Sequence, residues 1–238
     1  MQAVLCIYRR ELSSYFNSSL SAIVVPVFLL LVGIFSLYFH DLFATGIASM
    51  RRVFFWSAMC LALLIPALTM RSFAEERRTG SLELLLTLPI NEGQAVLGKY
   101  MASLTLVLLA ILLTLSYPIT LAGLAELDPG PIIGGYVGLA LIGAAYCAIG
   151  VAASSVTSNQ VVAFLLAMVL CLVPFAMGFF LQSFPGSLLP VAQHLSFQTH
   201  FNSLARGVID TRSIAFYASV IMLALHAAVF SLEQRRLS

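Results

Sequence analysis

Residues 70–100 read MRSFAEERRTGSLELLLTLPINEGQAVLGKY and form the charge-dense island of an otherwise apolar chain. Arg71, Glu75, Glu76, Arg77, Arg78, Glu83, Glu92 and Lys99 lie here, between two long apolar runs that carry no charge. The chemistry open to such an island is ionic recognition, because a polar, helix-forming connector is where a soluble partner can push. The same stretch holds Gly93-Gln94-Ala95-Val96-Leu97-Gly98-Lys99, which fits the GxxxxGK spacing of a phosphate loop. Tyr100 stands where the magnesium-binding Ser or Thr is required and no strand precedes, so the match is accidental. Lys99 reads instead as an inner-boundary anchor whose stem snorkels. HExxH, GxSxG and paired intramembrane carboxylates are absent, which argues against an intramembrane enzyme. His194 and His200 lie six apart without a third ligand nearby, so no metal site is expected. His226 falls inside an apolar span, as a hydrogen-bonded packing residue or a proton carrier. Cys6, Cys60, Cys147 and Cys171 lack CxxC spacing and read as small hydrophobes.

The elements that position these residues follow from composition. The chain is 61% hydrophobic and 9% charged, with a mean hydropathy of +1.00, where a soluble domain has roughly 25% charged residues. The bilayer is therefore its solvent. A net charge of +2, with its basic residues split among loops, gives no argument for nucleic acid. Six apolar segments are each close to the ~20 residues a helix needs to cross ~30 Å of hydrocarbon. Our boundaries are Leu20–Phe39, Val53–Met70, Tyr100–Gly123, Ile132–Ala153, Val161–Leu181 and Ile214–Leu232. No alternating barrel pattern competes, so the expected class is an all-α integral membrane protein forming a single transmembrane domain over 1–238. Pro26, Pro118 and Pro174 fall within spans, which membrane helices tolerate. In the fourth span, Gly134 and Gly138 have the GxxxG spacing of close helix packing, either within the subunit or at a dimer seam.

Loop charges orient the chain. With the amino terminus inside, Arg9, Arg10, Arg71, Arg77, Arg78, Lys99, Arg235 and Arg236 are cytoplasmic, against Arg51, Arg52, Arg206 and Arg212 outside. Eight against four favours both termini in the cytoplasm. Residues 1–19 read as an interfacial helix, with Val4, Leu5, Tyr8, Leu12, Tyr15 and Phe16 at helical spacing and Arg9, Arg10 and Glu11 facing headgroups. The Arg pair resembles an export signal, but the 20-residue apolar run has no small-residue cleavage site after it, so removal is not expected.

The connector, 71–99, divides into pieces. Ser72 with Glu75 suggests a capping box at the membrane exit. Gly80 interrupts, Leu82, Leu85 and Leu86 form an apolar stripe with Glu83 on another face, and Pro89 stops the helix. Asn91 with Gln94 caps the next helix, which runs into the third span. This is a helix–break–helix elbow suited to docking. Residues 182–213 carry Pro185, Gly186 and Pro190 but are too apolar for a solvated loop, which fits irregular backbone held at membrane depth.

Taken together, AEERRTGSLELLLTLPINEGQAVLGKY, YRRELSSYFNSS, DPGPIIGGYVGLALIGAAYCAIGVAASSVTSNQVVAF and FQTHFNSLARGVIDTRS resemble the membrane-spanning subunit of ABC type-2 exporters, nearest the gliding-motility-associated permeases. The resemblance spans nearly the whole chain in order. It implies six spans, an amino-terminal interfacial helix, a cytoplasmic coupling helix between spans two and three, and re-entrant outer helices before span six. It implies two cytoplasmic ATPase subunits that bind ATP and magnesium, a second permease copy or a related permease, and a bacterial inner-membrane location. An extracytoplasmic accessory protein is a further candidate partner. Glu75, Glu76, Gly80, Glu83 and Pro89 match the family pattern around the coupling helix. Arg77 and Arg78 join the polar contacts, while Leu82, Leu85 and Leu86 would fill a groove on the ATPase. No cofactor is expected in this chain.

The spans contain no Asp, Glu, Lys or Arg, the groups an ion-gradient transporter needs there. Energy must enter from outside the bilayer, and the connector is the available door. The sequence thus points to the permease of an ATP-driven exporter, or alternatively to a membrane anchor through which an ATPase does mechanical or assembly work.

Overall fold

The structure, a computed structural model, describes residues 2–38, 50–81, 91–123, 128–181, 189–207 and 210–236. Within them the chain is all-helical. We number the helices α1 (Gln2–Asn17), α2 (Ser19–Tyr38), α3 (Arg51–Thr69), α4 (Ala74–Arg78), α5 (Glu92–Leu113), α6 (Ser116–Ala122), α7 (Pro129–Val156), α8 (Gln160–Ala176), α9 (Leu189–Leu195), α10 (Phe197–Ala205) and α11 (Thr211–Arg236). Four helical runs are long and apolar enough to cross a bilayer: Arg51–Arg78, Glu92–Ala122, Pro129–Val156 and Thr211–Gln234. The pair α1–α2, bent by 70°, supplies a fifth when counted as one span, and α8 is a shorter apolar helix.

Local chemistry explains where these helices start and bend. Asp128 caps α7 by accepting from the Gly130 N–H at 3.1 Å, and Pro129 sits at the first helical position, where no N–H is needed. Asn159 caps α8 through the Val161 N–H at 2.9 Å. The break between α5 and α6 has a stereochemical cause. Pro118 cannot donate to the carbonyl of Thr114, which instead accepts from the Tyr117 N–H at 3.0 Å. Tyr117 then turns its hydroxyl to the Leu29 carbonyl at 2.6 Å, fastening α6 to α2.

The central post is α7. Of its apolar stretch, 67% is buried inside the chain, against 17% for α11, which leaves α11 a broad apolar side that the described residues do not cover. Small residues let the neighbours close on α7. Gly135 meets the Phe54 ring of α3, and Gly150 meets the Thr69 side chain. Gly134 and Gly138 face α10 of the same chain. A Cβ at Gly134 would run into the Leu204 carbonyl, and one at Gly138 would stand 3.1 Å from the Phe201 ring. The GxxxG face is therefore occupied internally, leaving no room there for a second copy.

The inward face of α1 differs from the lipid-binding stripe expected of it. Ile7 is the buried residue, seated in the notch left by Gly98 of α5, whereas Leu5 and Phe16 are exposed. Glu11 is drawn inward rather than left among headgroups, its side chain only 15% exposed. The reason is a cation on α5, described below.

A Gly134→Ala variant should lose about 1–3 kcal/mol, since the obstacle is backbone that cannot move aside. Gly93→Ala, which meets nothing within 4 Å, should be neutral or gain up to about 1 kcal/mol from helix propensity. Thermal unfolding of both variants in detergent checks the contrast.

Candidate functional site

The charged groups of the connector come together at the end of the bundle where α3 stops and α5 begins. Met70–Phe73 make a turn after α3 and α4 follows, with Glu75 and Glu76 in its first turn and Arg77 and Arg78 in its last, as the helix dipole favours. The expected Ser72 cap does not form. Phe73 occupies the cap position without a side-chain bond of its own, and the orphan N–H groups of Phe73 and Ala74 donate to Ser154 Oγ at 2.9 and 3.0 Å. Ser154 Oγ in turn donates to the Met70 carbonyl at 3.0 Å. One hydroxyl from α7 thus holds the turn at both ends. Helix α4 ends at Gly80, whose φ of +73° only glycine adopts without strain.

Lys99, in the second turn of α5, is only 1% exposed. It does not snorkel. Its ammonium donates to the Ser72 carbonyl at 2.6 Å and to Glu11 Oε1 at 3.1 Å, and forms an ion pair with Glu76 Oε1 at 2.9 Å. It also lies 4.8 Å from the centroid of the Phe73 ring. Arg10 contacts the same two carboxylate oxygens, at 2.8 Å to Glu11 and 2.9 Å to Glu76. Two cations and two anions alternate in a closed four-membered ring. The hydrogen bond to Glu11 holds the Arg10 guanidinium above its ordinary pKa; burial works against this and Glu76 adds to it. A snorkelling lysine needs open water at its tip, and here α1 and α4 cover it.

The ring joins three elements: α1 through Arg10 and Glu11, α4 through Glu76, and α5 through Lys99. Tyr15 extends the stitching to Ser72 Oγ at 3.3 Å, and Tyr8 to Thr105 Oγ1 at 3.2 Å. Beside the ring lies a cavity of about 320 Å3, also bordered by Arg71 and Glu75. Glu75 and Arg78 are exposed, and Arg77 is half-buried. Leu82, Glu83, Leu85, Leu86 and Pro89 lie outside the described residues. Beyond them, Asn91 and Gln94 form the capping box of α5, the Asn91 N–H donating to Gln94 Oε1 at 3.4 Å. The GxxxxGK stretch belongs to α5, so its N–H groups from the second turn onward serve the helix and Lys99 serves the ring.

Arg10 and Glu11 were expected to face headgroups rather than to join this site, and Ser154 was not singled out by the sequence. Glu11 had one signal, as the lone acid of α1, but its partner is 88 residues away. Ser154 carried none.

At the opposite end, His200 is 8% exposed and stacks on Phe216 at 4.2 Å. Its Nε2 faces the His194 carbonyl, which only accepts, so Nε2 carries the proton of the neutral ring and Nδ1 accepts from Ser213 Oγ, each at 3.2 Å. His200 thereby ties α9, α10 and α11 together. No group of three or more metal-ligating side chains occurs among the described residues.

The model of the family described as ABC-2 family transporter protein matches residues 43–232, from just before α3 to near the end of α11. This is most of the chain, and the chain belongs to that family, the membrane-spanning permease component of ABC transporters, whose ATPase activity lies in a separate subunit. Comparison with curated proteins finds no match.

Lys99→Met should destabilise the purified protein by about 3–5 kcal/mol, because it leaves two inward-turned carboxylates without their buried cation. Arg10→Gln, on the solvent side of the ring, should cost less than about 1 kcal/mol. Equal melting temperatures for the two variants would show that the ring does not clamp this end.

Proposed function

We propose that this chain is the transmembrane subunit of an ATP-driven exporter and that the ring around Lys99 carries the power stroke into the bilayer. In this reading six spans cross the bacterial inner membrane, formed by α2, α3, the α5–α6 run, α7, α8 with the turn after it, and α11. At 1.5 Å per residue the 17 residues of α8 supply ~25 Å, and the turn completes the crossing. Both termini lie in the cytoplasm with α1 along the inner surface, and α9 and α10 dip into the membrane from outside. The subunit pairs with a second copy or a related permease above two cytoplasmic ATPases, which bind ATP and magnesium. In this reading its nearest kin are the gliding-motility-associated permeases, whose connector its own resembles.

The mechanism follows from the bonding. Nucleotide binding closes the ATPases together and presses on the connector, where Glu75, Arg77 and Arg78 make polar contacts and Leu82, Leu85 and Leu86 seat in a groove. Glu83 and Pro89 complete that docking surface. Glu76 belongs to α4 and is bonded to both Arg10 and Lys99, so the displacement reaches α1 and the head of α5 at once. Gly80 sets the angle at which the docking segment leaves α4. The scarcity of charge inside the spans supports an external energy source. The observation that carries this reading is the shared bonding of Glu76 to Arg10 and Lys99.

Glu76→Arg and Gly80→Pro should each leave membrane insertion and ATP hydrolysis by the assembled complex intact. Substrate movement in sealed vesicles should fall by at least about ten-fold, the change that ~1.4 kcal/mol of lost coupling brings. Undiminished transport in both variants would overturn the assignment. Hydrolysis coupled to no substrate movement in the unaltered complex would favour mechanical or assembly work.

A further inference from the structure

The cavity beside the Lys99 ring has charges left over once the ring is closed. It measures about 320 Å3 and is bordered by three cations, Arg10, Arg71 and Lys99, and three carboxylates, Glu11, Glu75 and Glu76. The ring uses two of each. Arg71 and Glu75 remain, both exposed at the rim. Among the described residues their side chains form no ion pair and no hydrogen bond, not even with each other. Arg10 also keeps donors open, because Nη2 makes both of its ring bonds and leaves Nη1 and Nε on a side chain 54% exposed.

Charge, size and depth specify the occupant. A bare anion at Arg71 would face the unanswered Glu75 carboxylate, and a bare cation at Glu75 would face Arg71. An occupant carrying one charge of each sign answers both, and the lining, which sums to zero, suits one that is neutral overall. At ~30 Å3 per water the volume equals roughly ten waters, room for a headgroup rather than a single ion. The guanidinium groups of Arg71 and Arg10 match phosphate oxygens. The Glu75 carboxylate only accepts, so it selects a primary ammonium, which has N–H donors, over a trimethylammonium, which has none. As for depth, Leu68 of the apolar α3 and Ser18, just before the apolar α2, form part of the wall. The cavity therefore lies where the polar and apolar surfaces of the bundle meet, the level of headgroups in a bilayer.

We infer that this cavity binds a phosphoethanolamine group, with its phosphate on Arg71 and Arg10 and its ammonium on Glu75. The group is that of an aminophospholipid or of its soluble glycerol diester. Glu75 borders both the cavity and the docking surface proposed above. The assignment of this end to the inner leaflet rests on the topology proposed above; the binding itself does not.

The test uses the full-length chain purified in dodecyl maltoside micelles and titrated calorimetrically with the dihexanoyl forms of phosphatidylethanolamine, phosphatidylcholine and phosphatidylglycerol, and with glycerophosphoethanolamine. Wild-type protein should bind phosphatidylethanolamine about ten-fold more tightly than the other two lipids, as one charge-assisted contact provides. Arg71→Gln should weaken that binding about ten-fold, and Glu75→Gln should lower it to the level of phosphatidylcholine. Both variants should melt with wild type, since neither side chain has a partner among the described residues. Arg212→Gln, the same charge change at the other end of the bundle, should leave binding unaltered. Equal affinity of wild type and Arg71→Gln overturns the site, and equal affinity of wild type for phosphatidylethanolamine and phosphatidylcholine overturns the ammonium assignment. Binding of the lipid alone supports a membrane source for the group, and equal binding of glycerophosphoethanolamine supports a soluble one. Because micelle binding needs neither the ATPase nor a sided membrane, its failure is separable from failure of the coupling mechanism.

Discussion

An ammonium group sealed from water at the edge of a bilayer must have its charge answered by groups within hydrogen-bond reach, and the packing of one end of this protein follows from that demand. Lys99 is answered by Glu11, Glu76 and the Ser72 carbonyl. Those partners belong to a helix at the amino end, a short connector helix and the turn before it. None of the three can drift without leaving a buried charge exposed to apolar surroundings. Arg10 closes the ring from the solvent side, so both carboxylates are neutralised twice over. The result is a polar clamp in a chain whose remaining cohesion comes from side-chain packing.

That packing is organised around α7, whose glycines admit the Phe54 ring, the Thr69 side chain and the backbone of α10 at separations no larger residue would permit. In hydrocarbon there is no water to squeeze out from between helices, so close van der Waals approach and a few hydrogen bonds must do the joining. The two ends are closed differently. At one end Ser154 gives its single hydroxyl to three backbone groups of the turn after α3. At the other, the His200 ring bridges the His194 carbonyl and Ser213 while stacking on Phe216.

The described first part of the connector is bonded both to the amino-terminal helix and to the helix that follows it. The family match begins at residue 43, which leaves α1, with Arg10 and Glu11, outside the shared region while Glu76 and Lys99 lie inside it. Two of the four ring residues thus lie outside the matched stretch.

Much of this was legible in advance. Hydropathy alone marked the apolar segments, because a bilayer sets helix length by its own thickness. Gly80 announced a helix end, since only glycine takes its left-handed φ cheaply, and Asn91 with Gln94 announced a helix start, both local matters of backbone geometry and short-range bonding. What the residues could not announce was who meets whom. Lys99 looked like a snorkelling anchor and Glu11 like a headgroup contact, because each was judged on its own helix. Ser72 looked like a cap, yet the acceptor came from Ser154, 81 residues downstream of Phe73. Gly134 and Gly138 permitted an internal or an intermolecular partner, and the arrival of α10 chose the first. Sequence fixes periodicity, breaks and the burial tendency of each segment, all of them short-range properties; only the tertiary structure decides which charges neutralise one another, because that depends on distances between residues far apart along the chain.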